Sequence, residues 1–217
     1  RVGQLPRDDS FDDNERIKSS KDYPMRRIAA LIILCLSQEV KANPEMDPVP
    51  WVRVTVPNAT CGRGEPYHVY LKYRCAEKMM VGFQAGGACW SAATCARLSP
   101  LAKLNPNRGV DPDGALKAPD LQNTAMADAS LIYFPYCTGD VFTGMHVADY
   151  GRFRINHFGG ENIRKTMEFL EDERYFQFDK VKHLIQYGSS AGAIGAIAHI
   201  KLMENHFPNA ETKVLLV

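Results

Sequence analysis

Five residues concentrate the chemistry of this chain: Gly188-Ser189-Ser190-Ala191-Gly192. A serine in the middle of Gly-x-Ser-x-Gly suits nucleophilic acyl transfer when a strand runs into the motif and a helix runs out of it. Both flanks read that way. Val181 to Tyr187 is short, apolar and partly alternating, as a half-buried strand is. Ala191 to about His206 is rich in Ala, Ile, Leu and Met and has no proline before Pro208, which predicts one helix. The turn between them lifts the hydroxyl of Ser190 clear of the sheet, and Gly188 and Gly192 fit because neighbouring backbone leaves no room for a Cβ. The five-residue pattern is short enough to arise by chance; its strand–turn–helix setting gives it meaning.

An activated serine needs donors for the oxyanion that forms on its substrate. The amide of Ala191, next after the nucleophile at a helix start, is one. The glycine bend Ala85-Gly86-Gly87-Ala88 follows a predicted buried strand, Met79 to Gln84, and its amides can approach a substrate without side-chain obstruction. The amides of Ala191 and of the Gly86-Gly87-Ala88 bend are therefore candidate oxyanion donors.

The elements that position these groups alternate between strand and helix. Trp51 to Val56 reads as an edge strand ending at Pro57, Tyr67 to Tyr73 as a hairpin strand, and Ser130 to Tyr136 as a second central strand. Cys61 to Pro66 is a turn-rich link, and Asn58-Ala59-Thr60 is a glycosylation sequon in a host that glycosylates. Asn162 to Tyr175 places Ile163, Met167 and Leu170 at helical spacing. Ser99 to Asp120 reads as a long surface excursion, and Lys213 to Val217 as the start of another strand. This order predicts an α/β fold with its site at the carboxyl edge of the sheet.

The 217 residues carry 26 basic and 25 acidic side chains, a formal charge of +1. That balance supplies no electrostatic reason for a nucleic-acid or acidic-membrane partner. Residues 1–24 are polar and aperiodic and read as disordered or as upstream of the mature protein. Met25-Arg26-Arg27, the apolar run Ile28 to Leu36 and the tail ending at Ala42 read as a signal peptide, too short to cross a bilayer. Residues 43–217 then form the folded domain of a secreted or periplasmic protein without stable membrane insertion. Of six cysteines, Cys35 falls in that signal. The other five predict two disulfides and one free thiol in an oxidising compartment, with no Cys-x-x-Cys zinc pair.

Three segments in one order carry a resemblance. Gly86-Gly87-Ala88-Cys89-Trp90 through Cys95, Pro135-Tyr136-Cys137-Thr138-Gly139-Asp140 with Gly144, and Gly188 to Gly192 with Ala193-Ile194-Gly195-Ala196 are similar to the pectin acetylesterase / Notum family. The resemblance spans about Trp51 to His206. It implies a secreted serine carboxylesterase with an α/β-hydrolase-like, mostly parallel sheet flanked by helices, and no metal or cofactor. Ser190 would be the nucleophile and Gly86, Gly87 and Ala191 the oxyanion hole. The family's disulfides would map to Cys89–Cys95 and Cys61–Cys137, leaving Cys75 unpaired. Ala85 stands where the family commonly has a further glycine.

The acid and base are the gap. In this fold they follow the serine, acid before histidine. His199 and His206 both lie on the predicted helix, and His199 would sit roughly 13 Å along its axis. His68, His146, His157 and His183 precede the serine, and His183 reads as a satisfied structural histidine in its strand. Asp140 reads as a turn cap or cleft-shaping residue. The expectation is a C-terminally incomplete esterase domain whose triad acid and base lie beyond Val217, and which is poorly active alone. Its substrate would be an acylated carbohydrate or another ester. The alternatives are a deacylase of a lipidated protein, a non-catalytic binding protein, or an intracellular hydrolase in which residues 25–42 are structural.

Overall fold

The computed structural model describes residues 18–19, 49–96, 104 and 126–216. The segment read as a signal peptide lies outside them, as does the 99–120 excursion apart from Leu104. In chain order the strands are β1 (Lys18–Ser19), β2 (Val52–Thr60), β3 (Pro66–Lys72), β4 (Cys75–Phe83), β5 (Ala129–Phe134), β6 (His146–Asp149), β7 (Arg154–His157), β8 (His183–Gly188) and β9 (Glu211–Leu216). The helices are α1 (Gly159–Asp172), α2 (Ala191–Ala198) and α3 (Ile200–His206).

Seven strands form one sheet in the order β1-β2-β3-β5-β4-β8-β9. β2, β3 and β5 pair antiparallel, whereas β5, β4, β8 and β9 run parallel. The period-2 alternation sorts side chains cleanly. Val54, Val69, Leu71, Val81, Phe83, Ile132, Phe134 and Leu184 face one core with Ile163, Met167 and Leu170 of α1 and Met203 of α3. Tyr70, Met80, Leu131, Tyr133 and Tyr187 face the other way, around Trp51 and Met126. The register aligns Phe83 with Phe134 on one side and Gly188 on the other, so β4, β5 and β8 release their loops along one edge.

Several expectations needed correction. β2 does not stop at Pro57 but continues to Thr60 through a register shift between Thr55 and Thr60. Asn58 takes φ +56 there, and the irregularity frees the proline from a ladder bond it could not make. The strand is not outermost either, because Lys18–Ser19 pairs with it in parallel. The single helix expected from Ala191 to His206 is two, broken at His199. The His199 ring bonds the Phe142 carbonyl (Nε2 to O, 2.7 Å) and lies parallel to the Phe83 ring, centroids 6.0 Å apart. Those contacts hold its backbone at φ −105° and ψ 13°, off the helix. His183 is exposed at the start of β8 rather than satisfied within the strand, in register with the exposed Glu211 of β9. The antiparallel hairpin β6–β7, which joins the Asp140 loop to α1, has no counterpart in the strands read from sequence.

Cys61–Cys137 and Cys89–Cys95 are disulfide-bonded, as the resemblance implied. Cys75 is not the free thiol expected: it too is disulfide-bonded, its partner lying outside the described residues. The expected count of two bridges and one free thiol is therefore corrected: no described cysteine is a free thiol. Among the described residues no helix is long and apolar enough to cross a membrane.

Candidate active site

Ser190 occupies the turn between β8 and α2 with φ +53° and ψ −120°, a conformation that a residue with a Cβ rarely adopts. Close packing enforces it. A Cβ on Gly188 would strike the backbone of Gly192, and a Cβ on Gly192 would strike the Phe83 carbonyl at the end of β4. The two glycines thus let α2 start directly against the neighbouring strand, and Ser190 takes up the strain. Its side chain is exposed, while Ala191 is buried at the helix start. Its only hydrogen bond among the described residues is a long one, donated by Oγ to the Gly86 carbonyl at 3.4 Å.

That contact brings the glycine bend against the elbow. The N–H groups of Gly86, Gly87 and Ala191 make no hydrogen bond among the described residues. The Gly86 carbonyl meets the Ser190 hydroxyl and Ala191 follows Ser190 in the chain, so the glycine bend and the start of α2 both reach the exposed hydroxyl. The bend is fixed from beneath. Gly86 rests on the Tyr136 ring, where a Cβ would collide. Gln84, buried at the end of β4, accepts a hydrogen bond from the Tyr136 amide at 2.8 Å and so ties β4 to β5. Ala85 is exposed and accommodated. Sequence reasoning missed Gln84 and Tyr136 as supports; their place at the ends of adjacent central strands was the available signal.

The loop after β5 is organised by Asp140. Its carboxylate accepts hydrogen bonds from the Thr138 hydroxyl (2.6 Å) and from the amides of Phe142 (3.2 Å), Gly144 (3.1 Å) and Gly159 (2.6 Å). Val141 and Phe142 both take positive φ, +51° and +66°, costly for residues of these types. The resulting turn drives the Phe142 ring into the core, 4.8 Å from Tyr136 and 5.3 Å from Phe83 by centroids, where Gly195 of α2 packs on it. Burial pushes the Tyr136 phenol well above its ordinary pKa, so its oxygen stays protonated while accepting from the Val141 amide at 2.7 Å. Asp140 therefore shapes the floor beneath the elbow helix.

No histidine is hydrogen-bonded to Ser190 among the described residues. His157 is buried, its Nδ1 2.8 Å from the Thr138 carbonyl and its Nε2 2.9 Å from the Tyr150 hydroxyl. A carbonyl only accepts, so Nδ1 carries the proton and a neutral ring takes the Tyr150 proton at Nε2. His206 contacts Glu171 at 2.7 Å, and His68 contacts Thr55 at 3.0 Å. Cys89, Cys95 and His157 approach one another, but both sulfurs are in a disulfide and hold no ligand lone pair as thiolates.

A mostly parallel sheet, its carboxyl edge bearing an exposed serine on a strand–helix elbow, defines an α/β-hydrolase-like fold. The chain belongs to the pectinacetylesterase family, whose model matches residues 40–217. Among curated proteins it is similar to the palmitoleoyl-protein carboxylesterase notum1' of Xenopus laevis, 26% identical over 154 residues, covering 68% of this chain and 31% of that protein. The palmitoleoyl-protein carboxylesterase notum1a of Danio rerio is 28% identical over 153 residues, covering 66% and 29%. The chain thus spans about a third of the length of these relatives. Two crystal forms of the Wnt deacylase Notum from Drosophila share the fold. Their TM-scores are 0.55 and 0.54 at 17% and 18% identity, over 75% and 76% of this chain and 51% and 50% of theirs. Carboxylic ester hydrolysis is the activity named at family level.

Proposed function

We propose that the protein is a serine carboxylesterase that removes an acetyl or other short acyl group from a carbohydrate through an acyl-Ser190 intermediate. The observation that carries this reading is the exposed Ser190 hydroxyl where the glycine bend meets the start of α2, with the amides of Gly86, Gly87 and Ala191 making no hydrogen bond among the described residues. The Ser190 oxygen attacks the acyl carbonyl while a base removes its proton. The resulting oxyanion accepts hydrogen bonds from the amides, and the sugar oxygen leaves with the proton returned by the base. Water repeats the sequence to release the acid and restore the serine.

The base and its supporting acid are assigned to a part of the full-length protein outside this chain. This is supported by the usual order in hydrolases of this fold, acid and base after the serine, and by the curated relatives being about three times as long as the matched region. Without them, binding and the oxyanion hole alone leave on the order of 10³–10⁴-fold catalysis over water. Secretion is part of the same proposal. It is supported by the signal-like segment Met25 to Ala42 and by disulfides at the site itself.

The test is hydrolysis of p-nitrophenyl acetate by the full-length protein. Ser190→Ala is expected to reduce kcat by at least about 10⁴-fold. Undiminished turnover in that variant rules out Ser190 as nucleophile. A second reading, a protein O-deacylase, is favoured by the names of the matched relatives. Preference for an octanoate over an acetate ester would select it.

A further inference from the structure

The chain has two tryptophans, placed oppositely. Trp51 is 7% exposed, whereas Trp90 leaves 71% of its surface in solvent. Burying so large an apolar ring stabilises by more than about 2 kcal/mol, so an exposed indole on rigid backbone invites a functional explanation. The backbone at Trp90 is rigid. The Cys89–Cys95 disulfide staples the loop shut across six residues. Inside it the Thr94 hydroxyl accepts from the amides of Trp90 (3.0 Å) and Ser91 (2.9 Å), and the Cys95 amide bonds the Ser91 carbonyl (2.9 Å). The Cys89 amide anchors the loop to the Gly139 carbonyl at 2.8 Å.

Trp90 borders an open cavity of about 300 Å³ shared with Thr143, His146, Tyr150 and His157. His146 lines that cavity, is exposed and makes no hydrogen bond among the described residues, so its ring nitrogens are open to hydrogen bonding. The Tyr150 oxygen donates to His157 and keeps lone pairs to accept. One aromatic face with polar groups set around it suits a pyranose, whose C–H face stacks while its hydroxyls meet edge donors and acceptors. A fatty acyl chain would need an enclosed apolar lining instead. The position is also right for a glycan. Ser190 touches the Gly86 carbonyl, and Trp90 follows Gly86 by four residues, at most about 14 Å even along an extended chain.

Resting on the esterase reading above, we propose that Trp90, with His146 and Tyr150, forms a glycan subsite that holds a sugar ring neighbouring the acylated one. Two measurements on the full-length protein test it. In the Ser190→Ala form, titration with an acetylated galacturonic-acid tetramer is expected to shift tryptophan emission saturably, and the added substitution Trp90→Ala to abolish that shift. In the active form, Trp90→Ala is expected to raise KM for the tetramer about tenfold more than KM for p-nitrophenyl acetate, with Trp90→Phe recovering most of the difference. The same emission change in both forms, no change in either, or equal KM effects on the two substrates overturns the subsite. Loss of the esterase reading shows separately, as ester hydrolysis that does not depend on Ser190, and leaves the emission titration to decide.

Discussion

Ser190 and the Asp140 loop lie at the same edge of the sheet, both on backbone that side chains rarely adopt, yet they use that strain in opposite ways. At Ser190 the unusual φ exposes one hydroxyl whose single hydrogen bond among the described residues is 3.4 Å long. At Val141 and Phe142 it turns an aromatic ring inward, and the Asp140 carboxylate holds the turn with four short-to-moderate hydrogen bonds. One region leaves its hydroxyl available; the other engages both carboxylate oxygens. On the proposed reading, hydrogen-bond occupancy separates the reacting Ser190 from the structural Asp140.

Asp140 offers the larger way to break that contrast. If its role is structural, Asp140→Ala leaves three backbone amides and a hydroxyl without their charged acceptor. The expected loss is about 3 kcal/mol of stability in urea unfolding, because hydrogen bonds to charged groups contribute roughly 1.5–3 kcal/mol each and water recovers part of them. Asp140→Asn keeps one acceptor oxygen and should lose less. A variant of unchanged stability but no activity would make Asp140 chemical and overturn the distinction.

Ser190 gives the next effect, with opposite sign. Ser190→Ala retains the Cβ and therefore the strain, whereas Ser190→Gly removes it. The glycine variant should be more stable than the alanine variant by about 1 kcal/mol, the strain relieved less the added freedom of the unfolded chain. Glycine no more stable than alanine would mean that the elbow stores no strain. Both variants are expected to be inactive.

Much of this was legible in the residues. The elbow, the glycine bend and the parallel strands around them follow from apolar alternation and from glycines where backbones cross. The hairpin β6–β7 escaped because His146 to Asp149 is almost wholly exposed, and an exposed four-residue strand has no apolar alternation to reveal it. The break at His199 escaped because its cause is a tertiary contact with Phe142, 57 residues earlier in the chain. The disulfide at Cys75 escaped because counting cysteines cannot say which of them pair. The three amides could be nominated from sequence, but only the structure shows that no described residue accepts a hydrogen bond from them.

His199 supplies the smallest effect and the finest test of how the two regions are joined. Burial lowers its pKa below the ordinary 6.5, opposed by the bond to the Phe142 carbonyl and by the nearby Asp140 charge. The unfolded chain therefore takes up a proton first as pH falls. Stability is full above about pH 6.5, declines as pH drops toward the lowered native value, and levels off beneath it. His68 shifts the same way, through burial and then the Arg53 charge, so the difference between parent and His199→Gln isolates the helix residue. Urea midpoints at pH 5 and pH 8 should converge in that variant relative to the parent. Either protonation state keeps a proton on Nε2 for the Phe142 carbonyl, so acid should cost stability without undocking the Asp140 loop from α2. Tyrosine and phenylalanine near-ultraviolet dichroism reports the packing of Tyr136, Phe142 and Phe83, and it should stay constant across that pH range while the urea midpoint falls. A dichroism change that tracks the midpoint would mean that the loop and the elbow are joined by the neutral histidine alone.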